Sequence, residues 1–541
     1  MTAADGSAQV AEIMAGYTFA GPSVHLGAAL VDGEVHPEAP VRLPLAMMNR
    51  HGLVAGATGT GKTITLQVMA EQLSAQGVPV FLADIKGDLT GLSTPGTGTE
   101  KLLSRTQSVG QQWAAKSFPV EYFSLGGHGV GIPVRATISA FGPLLLSRVM
   151  DLNETQASSL TLVFHYADQS GLELFNLADL RAVISFLTSD EGKPALKDLG
   201  GLSKATAGVI LRELITLQAQ GMDVFFGEPE FDTADLLRLA DDGRGMISCL
   251  ELPTLLQTPQ LFSTFLMWLV ADLFSDLPEV GDQEKPKLVF FLDEAHLLFT
   301  GASKEFLQSI QTTVRLIRSK GIGIFFVTQT PKDVPAEVLG QLANRVQHAL
   351  RAFTPDDAKA LKATVSTFPT SSYDLSKVLT SAGTGEAVVT VMNDRGAPTP
   401  VAWTRMTSPE STMGPSAPGV VERIVGLSAL SARYGSAVDS HSAFEKLTAS
   451  PSPDQPPAAP GPDAEAQRIE DSILGTPRQP PPTTAPTPDR RSPSRPAPEL
   501  RGQRDQADDL MDIAVKAAGT IGAEIARGLF GTQRRRSRRR W

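Results

Sequence analysis

The chain has 541 residues, of which 42% are hydrophobic and 20% are charged, a composition that is typical of a packed globular protein and excludes disorder throughout. Its single cysteine, Cys249, excludes an intramolecular disulfide framework and is typical of a reducing compartment. The formal net charge is −10 although six arginines lie in the last eight residues, so the acidic remainder excludes a protein that coats nucleic acid over its whole surface.

The first 50 residues form a short segment ahead of the main body. They lack the basic stretch followed by an apolar stretch that marks a signal peptide, so we expect a cytoplasmic protein. Residues 17–31 predict at most a β-hairpin. Further along, the longest apolar helical stretch, residues 261–274, contains Asp272 and is well short of the roughly 20 residues that cross a bilayer.

From residue 51 onwards, short runs rich in β-branched and aromatic residues alternate with longer runs of helical periodicity. This alternation predicts an α/β fold in which a mostly parallel sheet has helices on both faces. The predicted strands are 51–55, 78–83, 120–124, 246–250, 288–292, 322–328 and 387–391.

One region interrupts the alternation. Residues 140–242 carry almost only helical patterns, for example over 155–167 and 204–220, and they predict an all-helical insertion. The insertion divides the predicted core into two parts. These parts are 51–139 and 243–405, and a helical extension over 406–450 follows them.

The sequence GATGTGKT at residues 56–63 matches the phosphate-binding pattern G-x-x-x-x-G-K-[ST] in full and follows a predicted strand. Its glycines let backbone N–H groups surround phosphate oxygens, and the helix that begins near Lys62 adds its positive end. We expect Lys62 to reach the β- and γ-phosphates and Thr63 to bind Mg²⁺. The predicted nucleotide-binding residues are Gly56, Ala57, Thr58, Gly59, Thr60, Gly61, Lys62 and Thr63. A glycine-rich turn without a ligand is the alternative.

A second motif is KLVFFLDEAH at residues 287–296, an apolar strand that ends in two adjacent carboxylates. We expect Asp293 to hold Mg²⁺ and Glu294 to act as the general base that activates water. Alone, such a pair is also typical of a helix N-cap. The phosphate-binding loop upstream favours the catalytic interpretation.

Two more polar residues follow predicted strands. Asp84 follows 78–83 and Gln329 follows 322–328. Ligands of open α/β sheets bind beyond the carboxyl ends of the strands, so both residues are predicted at the same edge as the loop. Gln329 is a candidate sensor of the γ-phosphate, and Asp84 is a third carboxylate near the metal. A turn-forming Asp84 and a loop-capping Gln329 are the alternatives.

Prolines mark the last boundary, because residues 451–500 hold 15 of the 39 in the chain. We predict a disordered proline-rich linker over 451–504, then an amphipathic helix and an arginine-rich tip over 505–541. The tip has three open interpretations: a solvated tail on a docking helix, a membrane-surface helix, and a nucleic-acid contact.

These motifs in this order resemble the HerA-FtsK superfamily of P-loop ATPases, and within it the stand-alone bacterial HerA-like proteins. The resemblance rests on RHGLVAGATGTGKT, LADIKGDLTGL, FFLDEAHLLF, RLIRSKGIGIFFVTQTPKDVP and NRVQHALRAFTPDDAKAL, and covers roughly residues 15–450. It implies a RecA-like core, ATP and Mg²⁺, and a homo-oligomeric ring, hexameric in the family, with nucleotide between neighbouring subunits.

In such rings an arginine of one subunit stabilises transition-state charge in the next. The resemblance places this role on Arg318, which has Arg315 and Lys320 beside it. Arg345 and Arg351 are the other candidates. For each arginine, a surface salt bridge is the alternative.

The sequence departs from true HerA helicases in one respect. Those helicases carry a β-barrel before the ATPase core, and the roughly 50 residues ahead of the loop leave no room for it, so their partner proteins are not carried over.

Our first hypothesis is a ring-forming, Mg²⁺-dependent ATPase that acts on DNA as a translocase or helicase. The second is a nucleotide-switched scaffold that recruits a protein through the helical insertion or the C-terminal helix. A secretion or conjugation pump ranks last, because no transmembrane segment is predicted.

Overall fold

The computed structural model describes residues 3–127, 129–252, 259–281, 283–299 and 304–448. The linker predicted over 451–504 and the helix and arginine-rich tip predicted over 505–541 lie outside these residues. The chain up to Phe444 forms one compact unit, and a second unit begins at Glu445. Of the helices in the described residues, none is long and apolar enough to cross a membrane.

A single sheet of 12 strands organises the first unit. Its spatial order is β2-β1-β12-β11-β10-β3-β9-β8-β4-β7-β5-β6. The strands are β1 (Ser23–Val31), β2 (Glu34–Pro44), β3 (Gly52–Ala55), β4 (Val80–Asp84), β5 (Val120–Leu125), β6 (Ile132–Val134), β7 (Ile247–Glu251), β8 (Leu288–Leu292), β9 (Ile322–Thr328), β10 (Asn344–His348), β11 (Glu386–Thr390) and β12 (Ala402–Met406).

From β10 to β6 every neighbouring pair of strands is parallel. The central strands are continuous apolar runs, such as LVFFL in β8, and every residue of β3, β4, β8 and β9 is buried. A strand that is buried along its whole length has both faces covered, as expected of a parallel sheet between helices. The α/β fold with a mostly parallel sheet is thus confirmed, and each of the seven predicted strands is present.

The order of the central strands determines where polar groups meet. β3 lies between β10 and β9, and β8 is the next strand beyond β9. This arrangement is that of a RecA-like P-loop core. Because these strands are parallel, their carboxyl ends share one edge of the sheet, which we call the C-edge. The segments after β3, β4, β8 and β9 all leave the sheet at the C-edge.

The other four strands, β11, β12, β1 and β2, form an antiparallel wing of the sheet. β1 and β2 form a hairpin whose turn places Asp32 at φ 50° and Gly33 at φ 86°. The hairpin begins later and is longer than the predicted 17–31. Gly27 allows its contact with β12, since a Cβ there would lie 2.1 Å from the carbonyl oxygen of Arg405.

The described residues contain sixteen α-helices. They are α1 (Ala3–Gly16), α2 (Lys62–Ala75), α3 (Glu100–Ser108), α4 (Ile138–Val149), α5 (Glu154–Gln169), α6 (Leu177–Thr188), α7 (Lys204–Ala219), α8 (Pro259–Asp276), α9 (His296–Phe299), α10 (Lys304–Ile317), α11 (Ala336–Leu339), α12 (Pro355–Val365), α13 (Leu375–Ser381), α14 (Val420–Leu427), α15 (Ala429–Tyr434) and α16 (Ala443–Thr448).

Helices α4 to α7 form the region predicted as an insertion. They lie between β6 and β7 along the chain and pack against one another. Their starts follow from capping residues. The Asn153 and Asn176 side chains each accept backbone N–H bonds at the first turn of α5 and α6. These helices belong to the same compact unit as the sheet, so the boundaries 140–242 stay a prediction.

The C-terminal extension, defined here as residues 420–444, packs back on the unit. Helix α14 contacts β5, and α15 contacts β6. The Tyr434 hydroxyl donates to Asp235 Oδ2 at 2.6 Å, and its carbonyl accepts from Arg135 Nη1 at 2.8 Å. Further on, the backbone N–H of Phe444 donates to Asp179 Oδ1 of α6 at 3.0 Å. The extension therefore ties the edge of the sheet to the helices of the insertion.

Candidate active site

The phosphate-binding loop, residues 56–61, joins β3 to α2 at the C-edge. Neighbouring strands hold it: the Gly56 N–H donates to the Thr328 carbonyl at 3.2 Å, and the Ala57 N–H to the Ala349 carbonyl at 2.8 Å. Gly61 has φ 114°, and a Cβ there would lie 3.2 Å from the Gly385 nitrogen. Only glycine suits that backbone conformation and spacing. The loop is thus held between β3, β9 and β10, and its binding of phosphate stays a prediction.

Lys62 begins α2 and is only 7% exposed. Its Nζ donates to the carbonyl oxygens of Gly56 at 2.6 Å and of Ala57 at 3.2 Å. Burial lowers the pKa of this ammonium, while the negative charge of Glu294 acts to raise it. Lys62 is therefore held inside the loop, close enough to Glu294 for their charges to interact.

A buried chain of hydrogen bonds through three groups holds the helix that follows the loop. The Thr65 Oγ1 of α2 lies 3.0 Å from His348 Nε2, and His348 Nδ1 lies 3.0 Å from the Glu386 carbonyl oxygen. A carbonyl only accepts, so Nδ1 carries the proton and Nε2 accepts from the hydroxyl. Burial lowers the His348 pKa to about 4, which keeps the ring neutral. α2 is thereby fixed to β10 and β11.

An arginine from α3 supports the opposite side of the loop. The Arg105 Nη2 donates to the Gly385 carbonyl oxygen at 2.6 Å, and the Gly385 N–H donates to the Thr60 carbonyl at 2.9 Å. Burial lowers the Arg105 pKa. Gly385 is thus clamped between α3 and the phosphate-binding loop. Arg105 is not among the predicted site residues, because nothing in the sequence of α3 indicates a partner 280 residues away.

Asp293 and Glu294 follow β8 at the C-edge. Asp293 is 3% exposed, and burial raises its pKa to about 6. Its Oδ1 accepts the Glu294 N–H at 2.9 Å. Glu294 has φ 46°, a left-handed conformation that is uncommon outside glycine, and such strain gathers at functional sites. The structure thus brings both predicted carboxylates to the edge that holds Lys62.

A second lysine engages the predicted base. Lys86, from the loop after β4, places Nζ 2.6 Å from Glu294 Oε1. The other oxygen, Oε2, lies 3.2 Å from His296 Nδ1, but the geometry there is not that of a hydrogen bond. Although burial acts to raise it, the Glu294 pKa is lowered, chiefly by the Lys86 hydrogen bond and charge. Lys86 is not among the predicted site residues, although it lies in the segment LADIKGDLTGL that contributes to the family resemblance.

Asp84 shapes the loop that carries Lys86. Its Oδ1 accepts the N–H groups of Lys86 at 3.1 Å and Gly87 at 2.9 Å, and its Oδ2 accepts that of Leu89 at 2.8 Å. Burial raises its pKa. This geometry supports the turn-forming alternative, and the catalytic role of Asp84 stays a prediction. Glu251, the register neighbour of Asp84 on β7, is a further C-edge carboxylate whose pKa burial raises to about 7.

Gln329 is exposed directly after β9. It lines a cavity of about 410 Å³ together with His296, Phe299, Thr330 and Asp333. His296 belongs both to this cavity and to the surroundings of Glu294. The structure therefore places Gln329 at the C-edge, as predicted, and its sensor role stays a prediction.

The predicted arginines do not gather at this site. Arg318 precedes β9 and so lies at the opposite edge of the sheet, near His51, whose pKa is lowered to about 4 chiefly by burial and further by the Arg318 charge. Arg345 lies within β10 and donates to Thr367 Oγ1 at 2.6 Å. Arg351 follows β10, on the side of the phosphate-binding loop. A role within one subunit is thus excluded for Arg318 by position, and a role in a neighbouring subunit stays a prediction.

Arg315 and Lys320, the two cations beside Arg318, lie at that opposite edge as well. Arg315 is exposed in the last turn of α10. The Lys320 ammonium lies 4.9 Å from the ring centroid of Phe274. Neither side chain reaches the C-edge of its own subunit.

The residues that would hold Mg²⁺ are Thr63 and Asp293, both at the C-edge. Mg²⁺ prefers oxygen ligands and is usually bound through one or two carboxylates, substrate phosphates and waters. The described residues contain no group of three or more His, Cys, Asp or Glu side chains placed to hold a metal. One buried carboxylate beside the phosphate-binding loop fits an ion that arrives with the nucleotide.

Comparisons with known proteins identify the family. A family model described as "Helicase HerA-like C-terminal" matches residues 30–539, most of the chain. Among curated proteins none matches. Structural matches include the unbound bacterial conjugative coupling protein TrwBΔN70, with 15% identity, a TM-score of 0.48, and coverage of 75% of this chain and 93% of that one. VirB4 of Thermoanaerobacter pseudethanolicus matches with 15% identity, a TM-score of 0.42, and coverage of 74% and 98%.

Proposed function

The chain belongs to the helicase HerA-like C-terminal family, and from this membership we propose that it is an Mg²⁺-dependent ATPase whose nucleotide binds at residues 56–63. One observation carries the proposal. The loop lysine Lys62 and Glu294, the carboxylate predicted as general base, lie at the same edge of the sheet, because Lys62 follows β3 and Glu294 follows β8. Phosphate binding and water activation are thereby available in one place.

The residues of the chain divide the hydrolysis between them. Backbone N–H groups of the loop and the start of α2 bind the phosphates, and Lys62 neutralises charge on the β- and γ-phosphates. Glu294 orients a water molecule and takes its proton as the water oxygen attacks the γ-phosphorus. The bond from that phosphorus to the oxygen shared with the β-phosphate breaks, which leaves ADP and inorganic phosphate. When bound, Mg²⁺ supplies positive charge that offsets the charge developing on the phosphate oxygens.

We further propose that the ATPase acts as a ring, hexameric as in the family, that moves along DNA. The position of Arg318 supports a ring, because an arginine at the opposite edge of the sheet can reach a nucleotide only in a neighbouring subunit. The alternative is a nucleotide-switched scaffold without translocation. The extension that ties the sheet to the insertion favours it, since that link gives a nucleotide-dependent movement a route to a protein partner. The cytoplasmic location stays a prediction.

The steady-state ATPase rate of the full chain, with and without double-stranded DNA, tests both proposals. Lys62→Ala should abolish nucleotide binding, and Glu294→Gln should bind ATP and fail to hydrolyse it. A Gln variant with the wild-type rate would refute the assigned base. DNA stimulation that falls steeply with salt supports a translocase that contacts several phosphates. A slow rate that ignores DNA supports the scaffold.

Deletion of residues 451–541 addresses the arginine-rich tip in the same assay. Loss of DNA stimulation with the basal rate intact would assign a DNA contact to the deleted residues. If stimulation survives the deletion, the DNA contact belongs to residues 1–450.

A further inference from the structure

The ion pair between Lys86 and Glu294 places the predicted general base in an unproductive state. Glu294 is 6% exposed, and its Oε1 accepts a 2.6 Å hydrogen bond from the Lys86 ammonium. A carboxylate in such a bond has its charge neutralised and one oxygen occupied. Its other oxygen, Oε2, lies 3.2 Å from His296 Nδ1 and has no hydrogen-bond partner among the residues that the structure describes. For Glu294 to take a proton from water at full strength, Lys86 must move away.

The structure also shows why Lys86 can move while its loop stays fixed. Asp84 holds the backbone of the loop through three N–H groups, so the base of the side chain has a defined position. The side chain itself is 42% exposed, against 8% for that of Glu294. A long, partly exposed lysine on a rigid turn can exchange partners without rearranging the fold.

The position of Lys62 indicates where the Lys86 ammonium can move. The Lys86 ammonium, 2.6 Å from Glu294, and Lys62 both lie at the C-edge, and the pKa of Lys62 is lowered first by burial and further by the Lys86 charge. Burial acts to lower the pKa of Lys86, but the Glu294 hydrogen bond and the Asp293 charge raise it. Lys62 is the residue expected at the β- and γ-phosphates. A triphosphate bound there brings several negative charges beside Lys86 that compete with Glu294 for its ammonium.

We propose that Lys86 is a second phosphate-binding lysine, which holds Glu294 in an ion pair between turnovers and transfers to the γ-phosphate when ATP binds, so that Glu294 is released to activate water. This inference rests on the proposed ATPase function. It assigns to Lys86 both the recognition of a triphosphate and the release of Glu294 once the triphosphate has bound. ADP lacks the γ-phosphate and leaves the ion pair in place.

Nucleotide affinities test the transfer. Binding of ADP and of a non-hydrolysable ATP analogue is measured with Mg²⁺ for the wild type, Lys86→Met and Lys86→Arg. We expect Lys86→Met to lose about tenfold or more in affinity for the analogue, the value of one charge-assisted hydrogen bond, with little change for ADP. Lys86→Arg keeps the charge and should retain most of the preference for the triphosphate. Lys116→Met is the matched control, because Lys116 forms an exposed 2.9 Å ion pair with Glu410 and should change neither affinity.

A double-mutant cycle separates transfer from a merely structural contact. Glu294→Gln removes the partner that competes for Lys86, so it should tighten binding of the ATP analogue in the wild-type background and have no such effect beside Lys86→Met. Equal loss of ADP and analogue affinity in Lys86→Met, or no loss of either, overturns the inference. A faster turnover with unchanged affinities overturns it as well. If the wild type binds neither nucleotide, the proposed function itself is wrong. If the wild type hydrolyses ATP and Lys86→Met changes neither nucleotide affinity, only the inference about Lys86 is refuted.

Discussion

The Thr65 hydroxyl and Nε2 of His348 lie 3.0 Å apart in the buried interior, and this contact joins the helix after the phosphate-binding loop to β10. Because His348 also donates to the Glu386 carbonyl, one neutral ring connects three elements. None of these atoms reaches a ligand. Their effect is on the position of the helix that presents Lys62.

Thr65→Val should destabilise the protein by about 1–2 kcal/mol, because it leaves the buried Nε2 of His348 without a donor. Thr65→Ser keeps the hydroxyl and should retain most of the stability. Urea unfolding of the three proteins measures the difference. A Val variant as stable as the wild type would contradict the hydrogen bond.

Asp293→Asn should stabilise the nucleotide-free protein at pH 8 while it weakens Mg²⁺-dependent ATP hydrolysis. The folded-state pKa of Asp293 is raised from 3.8 to about 6, so its ionised form costs folding free energy above pH 6, at most about 3 kcal/mol. That cost shrinks as the pH falls from 6 towards 4, because the folded carboxyl is protonated there while the unfolded one is still largely ionised, and it is gone only below pH 3.8. Thermal unfolding of the two proteins from pH 8 to pH 4.5 should show the advantage of Asn shrinking. A pH-independent difference would contradict the raised pKa.

Arg105→Met should weaken ATP binding without unfolding the protein. The variant removes the donor to the Gly385 carbonyl oxygen. The Gly385 N–H is then no longer held in its hydrogen bond to the Thr60 carbonyl of the loop. We expect KM for ATP to rise about tenfold, which corresponds to about 1.4 kcal/mol. Arg181→Met, which removes an exposed 3.1 Å contact to Gln218, is the control that should leave KM unchanged. Equal KM values for both variants would show that Gly385 needs no clamp.

Arg318→Ala should lose ATPase activity and regain part of it when mixed with Lys62→Ala. The first protein keeps the loop and lacks the arginine, and the second keeps the arginine and lacks the lysine. If nucleotide lies between subunits, a mixed ring contains complete sites. The ATPase rate of the mixture should exceed that of either protein alone, and Arg315→Ala should not behave in this way. A mixture that stays inactive would remove Arg318 from the list of candidates.

The central strands β3, β4, β8 and β9 and the C-edge carboxylates were predictable from the sequence, whereas of the antiparallel wing only β11 and a hairpin around β1 were expected. β8 and β9 are buried on both faces, and this burial requires continuous apolar runs that are visible without a structure. β2 is half exposed and contains three prolines, so its pattern resembles a loop. α1 consists largely of small residues and lacks a strong apolar stripe. These elements depend on their neighbours more than on their own sequences.

The candidate site divides in a similar way. The residues of GATGTGKT and the pair Asp293 and Glu294 have fixed local spacing, and fixed spacing can be recognised in a sequence. Lys86 meets Glu294 across 208 positions, and Arg105 meets Gly385 across 280. Such pairs are set by the order of strands in the sheet. A single sequence does not contain that order in readable form.

The position of β3 has a consequence for the protein during its synthesis. Gly52 of β3 pairs with Phe325 on one side and with Asn344 on the other, so the loop's two backbone anchors, Thr328 and Ala349, leave the ribosome long after the GATGTGKT motif. Contacts between such distant segments form late in folding. A nascent chain that stops short of β9 therefore carries the complete motif without a formed cradle.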